Sequence, residues 1–431
     1  MGFESIFILA LVFAVLLAIR VPIAFSIGLA TLVTILISVD VLPALTTISQ
    51  RMATGLDSFT LLAIPFFILA GQLMNQGGIA KKLIDFAKVL VGTLPGGLAY
   101  VNVISAMLFG AISGSAVAAA SAIGGIMDPQ MKKEGYDPEF GAAINITSST
   151  TGLLIPPSNV LIVYSLASGG VSIAALFLAG YLPGILVGFG LMLTSGYIAF
   201  RKKYKVAERV SLKTAFVRFL DAIPSLFLIF IVIGGIIAGI FTATEAAAVA
   251  VLYALLLSFF YKEINFSKIP NILLNSAKTT AIVMLLIATS VAMSWVLSFE
   301  NIPQAISEGL LNMVESGIAI LLIMNLILLL VGAFIDITPA ILIFTPIFLP
   351  VAVELGIDPI HFGIIIVFNL TVGLCTPPVG TVLFVGCSVA DVPITKVLKP
   401  LIPMFIVMIV SLLLITFVPE ISLFLPRLFG Y

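Results

Sequence analysis

Long apolar runs, interrupted by short polar segments, fill the chain from residue 4 to residue 418. A run of about 18 or more apolar residues matches the hydrocarbon thickness of a bilayer, so each reads as a membrane helix. Uninterrupted spans are expected at 4–20, 22–39, 58–76, 172–200, 221–240, 243–261, 279–298 and 400–418. Two further spans, 139–165 and 361–390, each hold a proline pair: Pro156-Pro157 in "GLLIPPSN" and Pro377-Pro378 in "GLCTPPVG". Proline lacks a backbone N–H and clashes with the carbonyl four residues back. Each pair therefore breaks its helix, and the carbonyls of Gly152 and Gly373 are expected to be freed. Polar backbone at membrane depth persists only inside protein or beside a watery cavity.

Two stretches, 94–127 and 316–350, are too long for one crossing and carry small or polar residues midway, "GAISGSA" and "GAFIDITPA". A re-entrant hairpin fits each. Amphipathic segments 79–91 and 303–315 precede the hairpins and are expected to lie along the interface and brace them.

The order of arm, hairpin, broken helix and span thus occurs twice. The proline pairs stand 221 residues apart, "FGA" (109–111) resembles "VGA" (331–333), and "DPEFG" (137–141) resembles "DPIHFG" (358–363). Five crossings precede the central linker, so the second copy enters with opposite polarity. The expected fold class is an all-α polytopic membrane protein of two inverted-topology repeats, each with a re-entrant hairpin and a broken transmembrane helix. The divisions are 1–93 (helices and arm), 94–200 (hairpin, broken helix, following span), 201–220 (basic linker), 221–315 (helices and arm), 316–400 (hairpin and broken helix) and 401–431 (final span and tail).

Composition agrees: 61% hydrophobic and 9% charged residues, with mean hydropathy +1.28, exclude a soluble domain. Net charge is zero with no basic or acidic tail, which leaves nothing to attract nucleic acid. Of 20 Lys and Arg, all but Arg51 and Arg427 fall on the side of the basic linker, which the positive-inside rule makes cytoplasmic. Lys81, Lys82 and Lys88 on one flank of the first hairpin, and Lys132 and Lys133 on the other, demand the same side. The second hairpin is flanked by Glu308, Glu315, Glu354 and Asp358 and opens outward. Both termini are expected to be periplasmic, the first span being retained, not cleaved. Cys375 and Cys387 imply no disulfide framework. There is no Walker A, GxSxG or HExxH sequence, so ATP is not expected to act through this chain.

The candidate chemistry sits at the hairpin tips and the breaks. Unwound backbone carbonyls with nearby hydroxyls suit a hard cation such as sodium. One site would take ligands from Gly110, Ser113, Gly152, Ile155 and Pro157, the other from Gly332, Gly373, Thr376 and Val379. Ser113, Ser115, Ser158, Asn159, Asp336 and Thr338 are polar groups expected at mid-membrane depth and able to contact a substrate. Asp336 has two readings: a cavity-facing carboxylate, or a solvated group capping the next helix. Glu245 in "TATEAAAVA" reads as a first-turn partner of a Thr242 or Thr244 cap. Arg51 and Asp57 read as interfacial, paired with each other or with a partner protein, Trp295 as an interfacial anchor, and His361 as a surface loop residue.

The segments "LDSFTLLAIPFFILAGQLM" (56–74), "LFGAISGSAVAAASAIG" (108–124), "LLIPPSN" (153–159), "LFLAGYLPG" (176–184) and "TATEAAAVA" (242–250) resemble the large membrane subunit of tripartite ATP-independent periplasmic (TRAP) transporters. The resemblance covers nearly the whole chain. It implies a secondary transporter, not an enzyme: a sodium-coupled importer of organic anions such as dicarboxylates or sialic acid in the bacterial inner membrane. It further implies a small membrane subunit, here a separate polypeptide, and a periplasmic substrate-binding protein. An elevator mechanism is implied, hairpins and broken helices sliding against a scaffold, with sodium ligands on the glycine, tip and proline groups named above. The alternative is a self-sufficient sodium–carboxylate symporter needing no binding protein.

Overall fold

The computed structural model describes residues 2–204, 211–313 and 316–431. Its first half comprises α1 (Gly2–Ala18), α2 (Ile23–Ile35), α3 (Val41–Leu56), a 3-10 turn (Phe59–Leu62) leading into α4 (Ala63–Gln76), α5 (Ile79–Val91), α6 (Gly97–Ser113), α7 (Ala116–Lys133), α8 (Pro138–Thr151), α9 (Asn159–Ala167) and α10 (Ile173–Arg201). The second half comprises α11 (Leu212–Ile237), α12 (Ala243–Phe260), α13 (Ile269–Phe299), α14 (Ile302–Met313), α15 (Gly317–Phe334), α16 (Ile337–Glu354), α17 (Pro359–Gly373), α18 (Thr381–Ala390), α19 (Ile394–Phe417) and α20 (Glu420–Leu428). Among the described residues, eight helices are long and apolar enough to cross a membrane: the Phe59–Gln76 unit, α10, α11, α12, α13, α15, α16 and α19.

Local chemistry sets many of the boundaries. Both broken helices start at an Asp-Pro pair, Asp137-Pro138 and Asp358-Pro359. Proline's fixed φ suits the first helical position, where its missing N–H is not needed. Asp358 Oδ1 accepts from the Ile360 N–H at 2.7 Å. At α12, Thr242 and Glu245 form a reciprocal capping box, as expected for Glu245. Each first half-helix then stops just before its proline pair.

The two broken helices form the centre of the molecule. Residues 140–151 of α8 and 361–373 of α17 are all buried. In the first half of the chain α8 packs on α6, α7 and α10; in the second half α17 packs on α15, α16 and α19. The second half-helices are exchanged. α18 lies against α7 and α8 of the first half, while α9 lies against α16 and α17 of the second. The Tyr164 hydroxyl on α9 donates to the Pro359 carbonyl at 2.6 Å, and Lys132 Nζ on α7 donates to the Ala390 carbonyl at the end of α18 at 2.7 Å. Outside this body α4 packs on α12, α5 on α6 and α11, and α13 on α2, α3, α4 and α16.

Several expectations need correction. The stretch 41–56, assigned no element from sequence, is the amphipathic helix α3, and the tail contains α20. The span expected at 279–298 is the second part of α13, which begins ten residues earlier. The hairpin helices α15 and α16 have 18 residues each, so length alone would let either cross. His361 is not on the surface: the helix starts before it and turns it into the core. There Nδ1 meets the Ser422 hydroxyl on α20 at 2.6 Å and Nε2 meets the Thr416 carbonyl at 3.3 Å. Arg51 lies 5.0 Å above the Trp295 ring, a cation–π contact, and does not pair with Asp57 among the described residues. Residues 314–315 of the second arm lie outside the described residues.

Candidate functional site at the hairpin tips and helix breaks

Each hairpin tip presses its glycine against the glycine that ends the broken helix. A Cβ on Gly110 would lie 2.7 Å from the Gly152 Cα, and one on Gly332 would lie 3.1 Å from the Gly373 Cα. Backbone-to-backbone contact this close tolerates only glycine. It brings the tip residues Ser113 and Ser115 beside the first break. The Ser113 hydroxyl stands 3.5 Å from the Gly110 carbonyl and 3.4 Å from that of Ser115.

The breaks leave acceptors without donors. Among the described residues no N–H or O–H donates to the carbonyls of Gly152, Ile155, Pro157, Gly332 or Val379. Gly373 departs from expectation: its carbonyl accepts the Thr376 N–H at 2.8 Å, because the chain tightens into a turn before the prolines. The Thr376 hydroxyl donates to the Val372 carbonyl at 3.0 Å. The Ala333 carbonyl at the second tip accepts from both Val379 and Gly380 N–H groups at 3.3 Å. The two breaks also differ in cover. Pro156 and Pro157 are buried, whereas Pro377, Pro378 and Val379 are exposed.

A cavity of about 470 Å³ opens where the two tips face α4 and α13. It collects Ser113 and Ser115 from the first tip, Asn159 from the start of α9, and Asp336 and Thr338 from the second tip. Five of the six residues expected to contact substrate thus line one space, although Ser115 and Asp336 are 221 residues apart in sequence. Ser158 does not line it. Its buried hydroxyl donates to the Leu153 carbonyl at 2.5 Å and holds the break closed. Asp336 occupies the N-cap position of α16 but makes no side-chain capping bond, and it is exposed to the cavity. Sequence reasoning missed Gln72 and Asn75 on α4 and Thr279 on α13, which form the opposite wall. Gln72 and Asn75 are three apart on one helix and therefore share a face. Two amides on one face near the end of an apolar span were the available signal. Among the described residues no Lys, Arg or His lines the cavity, and Asp336 is its one charged side chain.

The family model described as the tripartite ATP-independent periplasmic transporter, DctM component, matches residues 10–421. The chain belongs to the TRAP transporter large permeases. It is 58% identical to the protein YgiK of Salmonella typhimurium over the full length of both chains. It is 40% identical to the C4-dicarboxylate TRAP large permease DctM of Rhodobacter capsulatus, covering 97% of this chain and 99% of that one. With the sialic acid TRAP large permease SiaM of Vibrio cholerae it shares 38% identity over 89% of this chain and 90% of that one. The solved YdaH transporter of Alcanivorax borkumensis superposes with TM-score 0.64 at 14% identity, covering 91% of each chain, a likeness of fold. This TRAP permease is accordingly the large membrane component of a transporter, and the DctM and SiaM relatives are named as permeases.

Proposed function

We propose that this permease is the large subunit of a sodium-coupled, binding-protein-dependent importer of organic anions in the bacterial inner membrane. The observation that carries the reading is the cavity shared by both tips, the first break and the amides of α4. Its polar lining is one carboxylate and neutral hydroxyls and amides. A bound organic anion therefore needs a counter-charge, and the donor-free carbonyls at the tips and breaks suit sodium ions. The sodium sites would use Gly110, Ser113, Gly152, Ile155 and Pro157, and Gly332, Thr376 and Val379, with Gly373 contributing through its packing.

In this reading the copies are inverted repeats, and both termini are periplasmic. The unit of 94–200 and 316–400 slides as an elevator against the other helices. The reciprocal packing of α9 and α18 favours one moving body, since each half-helix is anchored on the other copy. A periplasmic protein would deliver a dicarboxylate, a sialic acid or a similar acid, and a separate small membrane subunit would complete the scaffold. An inward charge gains about 2.3 kcal/mol per 100 mV, so two sodium ions with one monoanion gain that much beyond the sodium gradient.

Thermal unfolding in detergent, titrated with sodium chloride against choline chloride at constant ionic strength, tests the coupling ion. A ligand bound only by the folded state raises apparent stability. A saturable, sodium-specific rise is expected; identical curves in both salts would contradict sodium sites in this chain. Uptake into proteoliposomes with and without a binding protein separates this reading from a self-sufficient symporter.

A further inference from the structure

A second cavity, of about 640 Å³, lies at the basic ends of α10 and α19, remote from the hairpin tips. Its charged rim is Lys202, Lys396, Lys399, Asp137 and Glu139. Lys202 is ion-paired with Asp137, whereas Glu139, Lys396 and Lys399 form no ion pair among the described residues. Lys396 and Lys399 are three apart on α19, so they project from one face. Below the rim the walls are apolar, from Ile198, Pro400 and Pro403. On the same two helices, Leu193 and Tyr197 of α10 and Ile402 and Ile406 of α19 are exposed. The positive-inside rule places these lysines at the cytoplasmic membrane surface.

We infer that this cavity binds a phospholipid headgroup carrying both a phosphate and a primary ammonium, that of phosphatidylethanolamine. Lys396 and Lys399 take the phosphate, and the Glu139 carboxylate accepts from the ammonium N–H groups. The acyl chains follow the exposed faces of α10 and α19. The mixed rim decides the headgroup. A basic pocket alone would favour an anionic lipid, but the Glu139 carboxylate attracts a cationic ammonium over a neutral glycerol and finds no N–H to accept from on a quaternary ammonium. A free phosphate would use the lysines and leave the apolar walls uncovered.

The test is native mass spectrometry of the full-length chain in detergent, delipidated and titrated with phosphatidylethanolamine, phosphatidylcholine or phosphatidylglycerol, with K396Q/K399Q and Glu139→Gln variants alongside. These side chains are surface-exposed or half-buried, and a monodisperse elution profile checks folding. Phosphatidylethanolamine should bind tightest. The double lysine variant should bind it about thirtyfold more weakly, from the usual contribution of each lysine near a phosphate surface. Glu139→Gln should erase its preference over phosphatidylcholine without weakening phosphatidylcholine itself. Binding indifferent to K396Q/K399Q, phosphatidylglycerol bound as tightly as phosphatidylethanolamine, or displacement of lipid by millimolar inorganic phosphate would each overturn the assignment.

Discussion

Gly152 and Gly110 meet main chain to main chain: a Cβ built on Gly152 would stand 2.2 Å from the Gly110 Cα. The relation recurs in the second half of the chain, where a Cβ on Gly373 would stand 2.4 Å from the Gly332 carbonyl carbon. Each pair locks a tip to a break, so the acceptors of both arrive in one place.

Gly152→Ala and Gly373→Ala should each destabilise the protein by about 1–3 kcal/mol, since overpacking against backbone cannot be relieved by a rotamer change. Gly125→Ala is the control, having nothing within 4 Å of its Cβ position. Thermal unfolding should separate the two classes. A Gly152→Ala protein as stable as Gly125→Ala would refute the close approach.

Ser113→Ala removes the one hydroxyl beside the Gly110 carbonyl. It should raise the sodium concentration for half-maximal uptake about tenfold, the effect of losing about 1.4 kcal/mol of ligand interaction. Ser158→Ala should leave that concentration unchanged and lower stability by about 1 kcal/mol, because its hydroxyl serves the Leu153 carbonyl. Equal sodium dependence in wild type and Ser113→Ala would remove Ser113 from the site.

Asp336→Asn preserves shape and removes the cavity's single charge. Among the described residues no ion pair or side-chain cap depends on Asp336, so the unfolding midpoint should hold while uptake falls. Full uptake in this variant would assign Asp336 to simple solvation.

Stability should depend on pH through Asp137 and Lys202 at the end of α10. The hydrogen bond from Lys202, joined by one from Tyr204, holds the Asp137 carboxyl below its ordinary 3.8, against partial burial. Asp137 in turn raises Lys202 above 10.5. A depressed carboxyl contributes stability above its unfolded value and loses it as pH falls through the folded one. A raised lysine contributes below 10.5 and loses it as pH climbs through its folded value. Both side chains are about half exposed, 46% and 49%, so the contribution is at most about 1 kcal/mol. The difference in unfolding midpoint between wild type and Lys202→Gln should be constant from pH 5 to 7 and shrink below pH 3.8. An unchanged difference at pH 3 would exclude the pair as its source.

Much of this architecture is written in local pattern. Apolar run length, the Asp-Pro starts at 137 and 358, the proline pairs and the Thr242–Glu245 box all act within a few residues, so their consequences are visible in one dimension. The donor-free carbonyl of Gly152 was legible for the same reason, a proline denying a donor to the carbonyl four residues back. Gly373 shows the limit: whether a neighbour, here the Thr376 N–H, takes the freed carbonyl depends on the turn that follows. His361 and α3 were misread or overlooked because their polar groups and short apolar faces are balanced by partners far along the chain, Ser422 for the first and α13 for the second. That Ser115 and Asp336 would share a cavity with Gln72 and Thr279, that Ser158 would not, and that the first break is covered while the second is open belong to long-range packing. Helix-scale features follow from nearest-neighbour sterics and hydrogen bonding, whereas cavities are set by how four or five distant surfaces fail to close upon one another.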